Sequence, residues 1–599
     1  MQAAMSAALA PTATPALAGT RERGSSAWLG QASPPSSVFD QYRDIDRLLV
    51  SSIGRLTGGL SPTTLTAAFM DWWIHLLASP AKQLELAHLA ANAALPWQAA
   101  GGNGQREIEP LPQDKRFADP RWHRLPFSAI AQAFLSTQHW WQRATTNVPG
   151  VTPHHEAMVA FGARQWLDMA SPSNWPWSNP QVLERTLAEG GANLVRGARH
   201  AFEDACREAA ALPPADAERF VVGRDLAATP GRVVARTRLA EVIQYTATTR
   251  RTFREPVLIV PAWIMKYYVL DLSPHNSLVK ALVDQGFTVF MISWKNPTRD
   301  DSKIGLSDYV HLGIDAALAK IAQLLPGRSV HALGYCLGGT LLAMAAARLA
   351  RTHPQLLKTI TLLAAQTDFT DPGELGLFID AGQVELLDDL MWRQGVLEAR
   401  QMKGTFQLMR SQDLIWSYRV LNYLLGERRP LTDLMAWNVD GTRMPYRMHS
   451  EYLHTLFLDN ALARGQAQLD GQPINLADLR APIFNVGAVQ DHIAPWRSVF
   501  KLHALTHAEQ TFVLTAGGHN VGIVNPPGQA RTSHRLKVWR PGDRLLTPDE
   551  WLDAAPQVEG SWWTVWFDWL REHSSGQHPA PQDKGHALGP APGRYVLQH

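Results

Sequence analysis

Gly334-Tyr335-Cys336-Leu337-Gly338-Gly339 is the sharpest chemical feature of the sequence. A nucleophile with glycine two residues to either side fits a strand-to-helix elbow. That turn is too tight for a Cβ at its flanks, and it lifts the central side chain above a sheet. Cysteine stands here where serine is usual. At a helix start, unpaired N–H groups and the dipole favour a thiolate, and a histidine can take its proton. The backbone N–H of Leu337 is placed to stabilise an oxyanion, with a second donor expected after 257–263, at Trp263 or Ile264. Such sites run nucleophile, acid, histidine along the chain. Asp491 ends the apolar stretch PIFNVGAVQD (482–491), and His519 follows EQTFVLTAGG (509–518). Among 54 acids and 22 histidines either residue alone is weak, but both at strand ends in this order are specific. His492 is expected to face the substrate pocket, in a structural role and not as the base, and His331, inside an apolar strand, is expected as a core histidine. Most free cysteines are small buried hydrophobes, which is the reading for Cys206. Sulfur also bears on the substrate. Thiolate attack on a thioester exchanges one thioester for another with little change in free energy, which favours acyl-CoA substrates and repeated transfer.

These residues need a sheet to hold them. VLIVPAW (257–263), TVFMISW (288–294), SVHALGY (329–335) and KTITLLAAQ (358–366) are apolar runs of the kind that strands buried on both faces require, as are 482–491 and 509–518. Helical patterns at 277–286, 313–325 and 339–350 fall between them, so the spacing predicts an α/β core with a mostly parallel sheet. The core is read as 220–369 and 471–599. Between them, 370–470 is helical and rich in Met, Leu and Trp, the place for a cap over an active site. Ahead of the core, 1–38 reads as an unordered Ala/Pro tail and 39–97 as a helical extension. One helix of the extension starts behind Ser61-Pro62 and another behind Ser79-Pro80. A helical domain spans 98–219, opening on the linker 98–107. Its aromatics, Trp122, Phe127, Phe134, Trp140 and Trp141, are expected to pack helices together.

The 599 residues carry Lys+Arg 56 against Asp+Glu 54, a net charge of +2, which argues against a nucleic-acid partner. Two cysteines exclude a disulfide scaffold and fit a reducing, cytoplasmic setting. No apolar run is long enough to span a bilayer, and no basic residue precedes the alanine-rich start as a secretory signal would need. There is no G-x-G-x-x-G, phosphate-binding loop or H-E-x-x-H, so neither cofactor nor metal is expected. His154-His155-Glu156 reads as surface. The 22 tryptophans suggest apolar surfaces or a large greasy pocket.

The sequence resembles the polyhydroxyalkanoate synthases, which make poly(3-hydroxyalkanoate) from 3-hydroxyacyl-CoA. The resemblance runs over about 110–599 in ordered blocks. They include DKRFADPRW (114–122), IVPAWIMKYYVLDLSP (259–274), GYCLGGT (334–340), DLMAWNVDGTRMP (433–445), DHIAPW (491–496), GGHNVGIVNPP (517–527) and EGSWW (559–563). It implies an α/β-hydrolase fold, with the family's nucleophile on Cys336, its acid on Asp491, its histidine on His519 and an active-site tryptophan at Trp437. It further implies (R)-3-hydroxyacyl-CoA as substrate, free CoA as product, a homodimer, and adherence to the polymer granule. The self-contained chain is like the class I members. PAWIMKYY stands where many members carry PPWINKYY, Gln490 replaces a frequent acid, and 445–465 is unlike the best-known short-chain enzymes. Two other readings remain, a cysteine hydrolase of esters, lactones or thioesters on the same fold, and a non-catalytic granule coat. The long helical region and the 370–470 insertion exceed what a small hydrolase needs. A coat has no use for Cys336, Asp491 and His519 together.

Overall fold

A computed structural model describes residues 36–94, 108–111, 114–210, 212–581 and 587–599. The linker 98–107, and the expected tail as far as residue 35, lie outside them. Residues 36–38, read as the end of that tail, are helical instead: α1 is Ser36–Leu56. Apolar residues at 39, 42, 45, 49 and 53 give it the helical spacing that tail composition obscured. The chain divides into two units, Met1–Leu49 and Val50–His599. The described part of the first is helix.

In the second unit, helices α2 (Pro62–Leu77), α3 (Pro80–Ala94), α4 (Phe127–Thr145), α5 (Pro153–Ala170) and α6 (Ala192–Ala209) precede the sheet. Ser61 caps α2, its Oγ accepting from Thr64 N at 3.3 Å, with Pro62 in the first turn. Indole N–H groups tie the bundle together, from Trp72 to the Ala144 carbonyl (2.8 Å) and from Trp140 to the Leu86 carbonyl (3.0 Å). Trp122, Phe127 and Phe134 pack in one cluster with Phe117, while Trp141 is partly exposed. Cys206 corrects the sequence reading. It lies on the exposed side of α6 and is not a buried hydrophobe.

Among the described residues the sheet has eleven strands: β1 (Gly231–Arg236), β2 (Ala240–Tyr245), β3 (Val257–Val260), β4 (Val289–Trp294), β5 (Val330–Tyr335), β6 (Leu357–Leu363), β7 (Ile483–Ala488), β8 (Gln510–Thr515), β9 (Ser533–Trp539), β10 (Gln557–Glu559) and β11 (Gly589–Pro590). Their spatial order is β10-β9-β8-β7-β6-β5-β3-β4-β2-β1-β11. Strands β3 to β8 are mutually parallel and form the middle of the sheet. The flanks are antiparallel, which the alternation of strands and helices did not foretell. In β2 the charged Glu241 interrupts the apolar run yet is fully buried, because Arg236 Nε and the backbone N–H groups of Arg594 and Tyr595 satisfy it at 2.6, 2.8 and 3.0 Å. Helices α7 (Leu278–Asp284), α8 (Ala316–Leu324) and α9 (Leu337–Thr352) connect the parallel strands.

Between β6 and β7 lie α10 (Ala381–Gln394), α11 (Ala399–Met409) and α12 (Tyr446–Tyr452), together with two short strand pairs. Among the described residues no helix is long and apolar enough to cross a membrane.

Candidate active site

Cys336 sits between β5 and α9 with φ 52° and ψ −124°, a left-handed conformation for a residue with a side chain. Its N–H donates to the Leu363 carbonyl at 2.8 Å, fixing the turn to β6. A Cβ at Gly334 would overlap the backbone of Gly339, and one at Gly338 the carbonyl oxygens of Val260 and Pro261. The glycines are therefore demanded by backbone crowding. Leu337 is the first residue of α9, so its N–H has no partner within the helix.

Asp491 follows β7 and His519 follows β8, and the structure brings them together. Asp491 Oδ2 lies 2.7 Å from His519 Nδ1, with both side chains buried. The other oxygen, Oδ1, accepts from the backbone N–H groups of Ile493 and Ala494 at 2.9 Å each, which fixes the carboxylate. Burial alone would lower the His519 imidazole. The Asp491 charge, then Cys336, then hydrogen bonds to both, outweigh it and hold the imidazole well above its ordinary pKa. Positive charge on His519 is thus favoured beside the Cys336 sulfur. The sequence reading missed two supports for this loop. Tyr335 donates its hydroxyl to Asn520 Oδ1 at 2.6 Å and packs its ring 5.6 Å from that of His519. Helix α13 (Trp562–Glu572) buries Trp562 and Trp563, whose indoles donate to the Gly522 and Ile523 carbonyls at 3.0 and 2.9 Å. Several of the tryptophans therefore act as buried donors that set loops, and do not line a pocket.

Above Cys336 is a cavity of about 110 Å³. Ile264 and Leu337 line it beside the sulfur, and Phe369, Met402, Phe406 and Tyr452 make it apolar. Trp437, expected in the pocket, is not among the lining residues. It is buried, and its indole donates to the Lys266 carbonyl at 2.8 Å. Thr442 holds the same loop, its Oγ1 bonding the Trp263 carbonyl (2.5 Å) and its N–H the Ile264 carbonyl (3.3 Å). The insertion thereby fixes the loop that carries Ile264. His492 does not line the cavity either. It is half-buried beside Asp491, its carbonyl accepts from Glu374 N at 3.1 Å, and burial, then Arg410, lowers its pKa.

Two lining groups were not foreseen. His449 is buried, its Nδ1 has no hydrogen-bond partner, and burial pushes its pKa down to about 4, so it is neutral. Gly58, Gly59 and Leu60, from the segment joining α1 to α2, form another part of the wall. Nothing in their sequence marks them, since their place is set by tertiary packing. Elsewhere, His331 is satisfied in the core by Thr359 Oγ1 (2.8 Å) and Ser574 Oγ (3.2 Å). His155 Nδ1 meets Asp71 Oδ2 at 2.6 Å and His154 lies 3.7 Å from Asp380, so this pair joins helices. Among the described residues no group of three His, Cys, Asp or Glu could hold a metal ion.

Three family models match the chain: poly-beta-hydroxybutyrate polymerase N terminal over residues 40–82, poly-beta-hydroxybutyrate polymerase (PhaC) N-terminus over 113–282, and alpha/beta hydrolase fold over 255–526. The poly(3-hydroxyalkanoate) polymerase of Methylorubrum extorquens is 38% identical over 545 residues, covering 89% of each chain. The poly(3-hydroxyalkanoate) polymerase subunit PhaC of Rhizobium etli is 38% identical over 513 residues, 84% of this chain and 80% of that one. Its namesake in Cupriavidus necator is 34% identical over 516 residues, 84% and 85%. With that likeness along most of its length and an α/β-hydrolase sheet beneath the elbow, the chain belongs to the poly(3-hydroxyalkanoate) polymerase family.

Proposed function

We propose that this chain polymerises (R)-3-hydroxyacyl-CoA thioesters into polyhydroxyalkanoate through an acyl group carried on Cys336, releasing CoA. His519 takes the thiol proton, and the sulfur attacks the thioester carbonyl. The N–H groups of Leu337 and Ile264 face the oxyanion. The bond to CoA sulfur breaks, and CoA leaves with the proton from His519. The hydroxyl of an acyl unit then gives its proton to His519, whose positive charge Asp491 stabilises, and attacks the thioester of the growing chain. An ester forms and the freed sulfur regains the proton. This chemistry uses no metal or cofactor. The insertion at 370–470 acts as the cap, and Trp437 and His492 act as supports around the pocket.

The observation that carries this reading is the buried 2.7 Å contact between His519 and Asp491, with the imidazole under the influence of Cys336, whose side chain lines an apolar cavity. The relatives' names support the substrate class. We place the enzyme in the cytoplasm as a homodimer on the granule surface. Helix α2 supports the granule seat, for it turns Leu65, Phe69, Met70, Trp73, Ile74 and Leu77 outward, each 42–58% exposed. An apolar stripe of this kind fits an apolar phase.

Cys336→Ala is expected to abolish polymer formation from 3-hydroxybutyryl-CoA while leaving the melting temperature unchanged. Polymer from that variant defeats the assignment. CoA released by the unsubstituted protein with only free hydroxy acid as co-product would make it a cysteine hydrolase instead.

A further inference from the structure

A chain lengthened on a buried sulfur has to leave past the walls around it. One wall of the Cys336 cavity is shared. Leu60, Phe378 and Gln383 line both that cavity and a second one of about 310 Å³ between α2, α5 and the start of the insertion. The second cavity is also apolar, with Met158, Phe161, Trp166 and Met169 of α5 along one side. Its rim reaches the surface at Trp166, 70% exposed, and at Leu65, which begins the outward apolar stripe of α2.

The partition has one fixed and two movable parts. Gln383 is a latch, its Nε2 donating to the Gly59 carbonyl at 2.5 Å and its Oε1 accepting from Ser61 N at 2.8 Å. Thr64 Oγ1 adds a bond to Asp380, the cap of α10, at 3.2 Å. Leu60 and Phe378 are only half-buried, and their side chains can turn without breaking a hydrogen bond. From this continuity we propose that the second cavity binds the growing polyester, which passes from Cys336 between Leu60 and Phe378 and emerges beside the apolar face of α2. The ligand class fits, since an aliphatic polyester is largely apolar and its repeating units carry ester oxygens but no hydrogen-bond donor, the one hydroxyl lying at the free end. The proposal rests on the polymerase reading above, and it gives residues 58–65 and α5 a role in elongation.

Gly162 offers a clean test. It lines the second cavity from α5, and a Cβ built on it meets nothing within 4 Å. Gly162→Trp fills the cavity from a helical position that favours a side chain. Ala157→Trp adds the same bulk to an exposed position of the same helix. With 3-hydroxybutyryl-CoA, Gly162→Trp is expected to keep the first-turnover release of CoA but shorten the polymer about tenfold, because the chain is denied its seat. Gly162→Leu falls between, and Ala157→Trp gives full-length polymer. Polymer of unchanged length and rate from a Gly162→Trp protein with an unchanged melting temperature overturns the proposal, as does equal loss of the first turnover and of extension. If Gly162→Trp melts early, Gly162→Leu carries the same test. Absence of polymer from the unsubstituted protein would instead strike the polymerase reading, so the two failures are distinct.

Discussion

Replacing Asp491 with asparagine strikes the proposed site at its most buried ionic contact. The Oδ1 position is held by two rigid backbone donors, Ile493 N and Ala494 N, and Oδ2 faces His519 Nδ1. Asparagine offers one acceptor and one donor end. The backbone donors claim the acceptor, so the amide NH2 meets the imidazole. Nδ1 must then accept, which moves the ring proton to Nε2, the nitrogen needed to take the thiol proton. Loss of a hydrogen bond to a charged group accounts for about 1.5–3 kcal/mol, or about 10- to 160-fold in rate. The wrong tautomer adds to this, giving a total of about 10³-fold in the acylation step. With the largest upward influence gone, the His519 imidazole also falls from its raised pKa. Both effects are measurable: CoA release within the first turnover, followed by chromatography, and titration of the His519 ring by NMR. A folded Asp491→Asn protein that acylates within about threefold of the original rate would refute the assigned role.

Three further outcomes concern the stability of the fold. Gly338→Ala drives a Cβ into the Val260 and Pro261 carbonyls, backbone that cannot step aside, and should cost about 4 kcal/mol or more in chemical denaturation. Gly404→Ala, in α11 with open space around it, should instead stabilise by about 0.5–1 kcal/mol. Burial holds both His331 and His449 neutral with pKa values of about 4, against about 6.5 when unfolded, so between these values the unfolded chain binds protons that the native one refuses. Stability therefore falls as pH drops through that window, by about 2 kcal/mol per histidine at pH 5. Equal urea midpoints at pH 7 and pH 5 would contradict it.

What the sequence disclosed and what it hid separate along a physical line. The elbow was legible because its glycines answer to local crowding, and the strand before and helix after it each have their own period. Asp491 and His519 were legible because strand ends in a parallel sheet share one edge, so order along the chain maps onto proximity. By contrast, β1 and β2 escaped notice. Glu241 and Gln244 break the apolar run, and the groups that satisfy Glu241 include N–H donors some 350 residues away in sequence. The family resemblance puts Trp437 at the active site, yet its indole bonds a distant loop carbonyl and it does not line the cavity. The role of Cys206 was misjudged for the same reason. Which face of a helix is covered depends on neighbours that no local pattern names.

The segment ahead of α2 raises the deepest question about the site, which is how a thioester on sulfur avoids water. A hydrolase and a polymerase can share nucleophile, base and acid; they differ in which hydroxyl reaches the acyl-cysteine. Here Gly58, Gly59 and Leu60 close one side of the cavity, the insertion contributes Phe378, Met402, Phe406 and Tyr452, and Gln383 bonds the two together. Apolar side chains around the sulfur offer water few partners, so a water molecule entering there forfeits hydrogen bonds that bulk solvent supplies. A hydroxyacyl unit loses less, since its hydrocarbon part gains from the same burial. In the proposed reaction, the preference for ester formation over hydrolysis is then set by the walls around Cys336, two of which come from parts of the chain outside the α/β sheet. On that proposal the 58–60 segment and the insertion belong to the chemistry as fully as the elbow does, because they line the space that the acyl group on Cys336 meets.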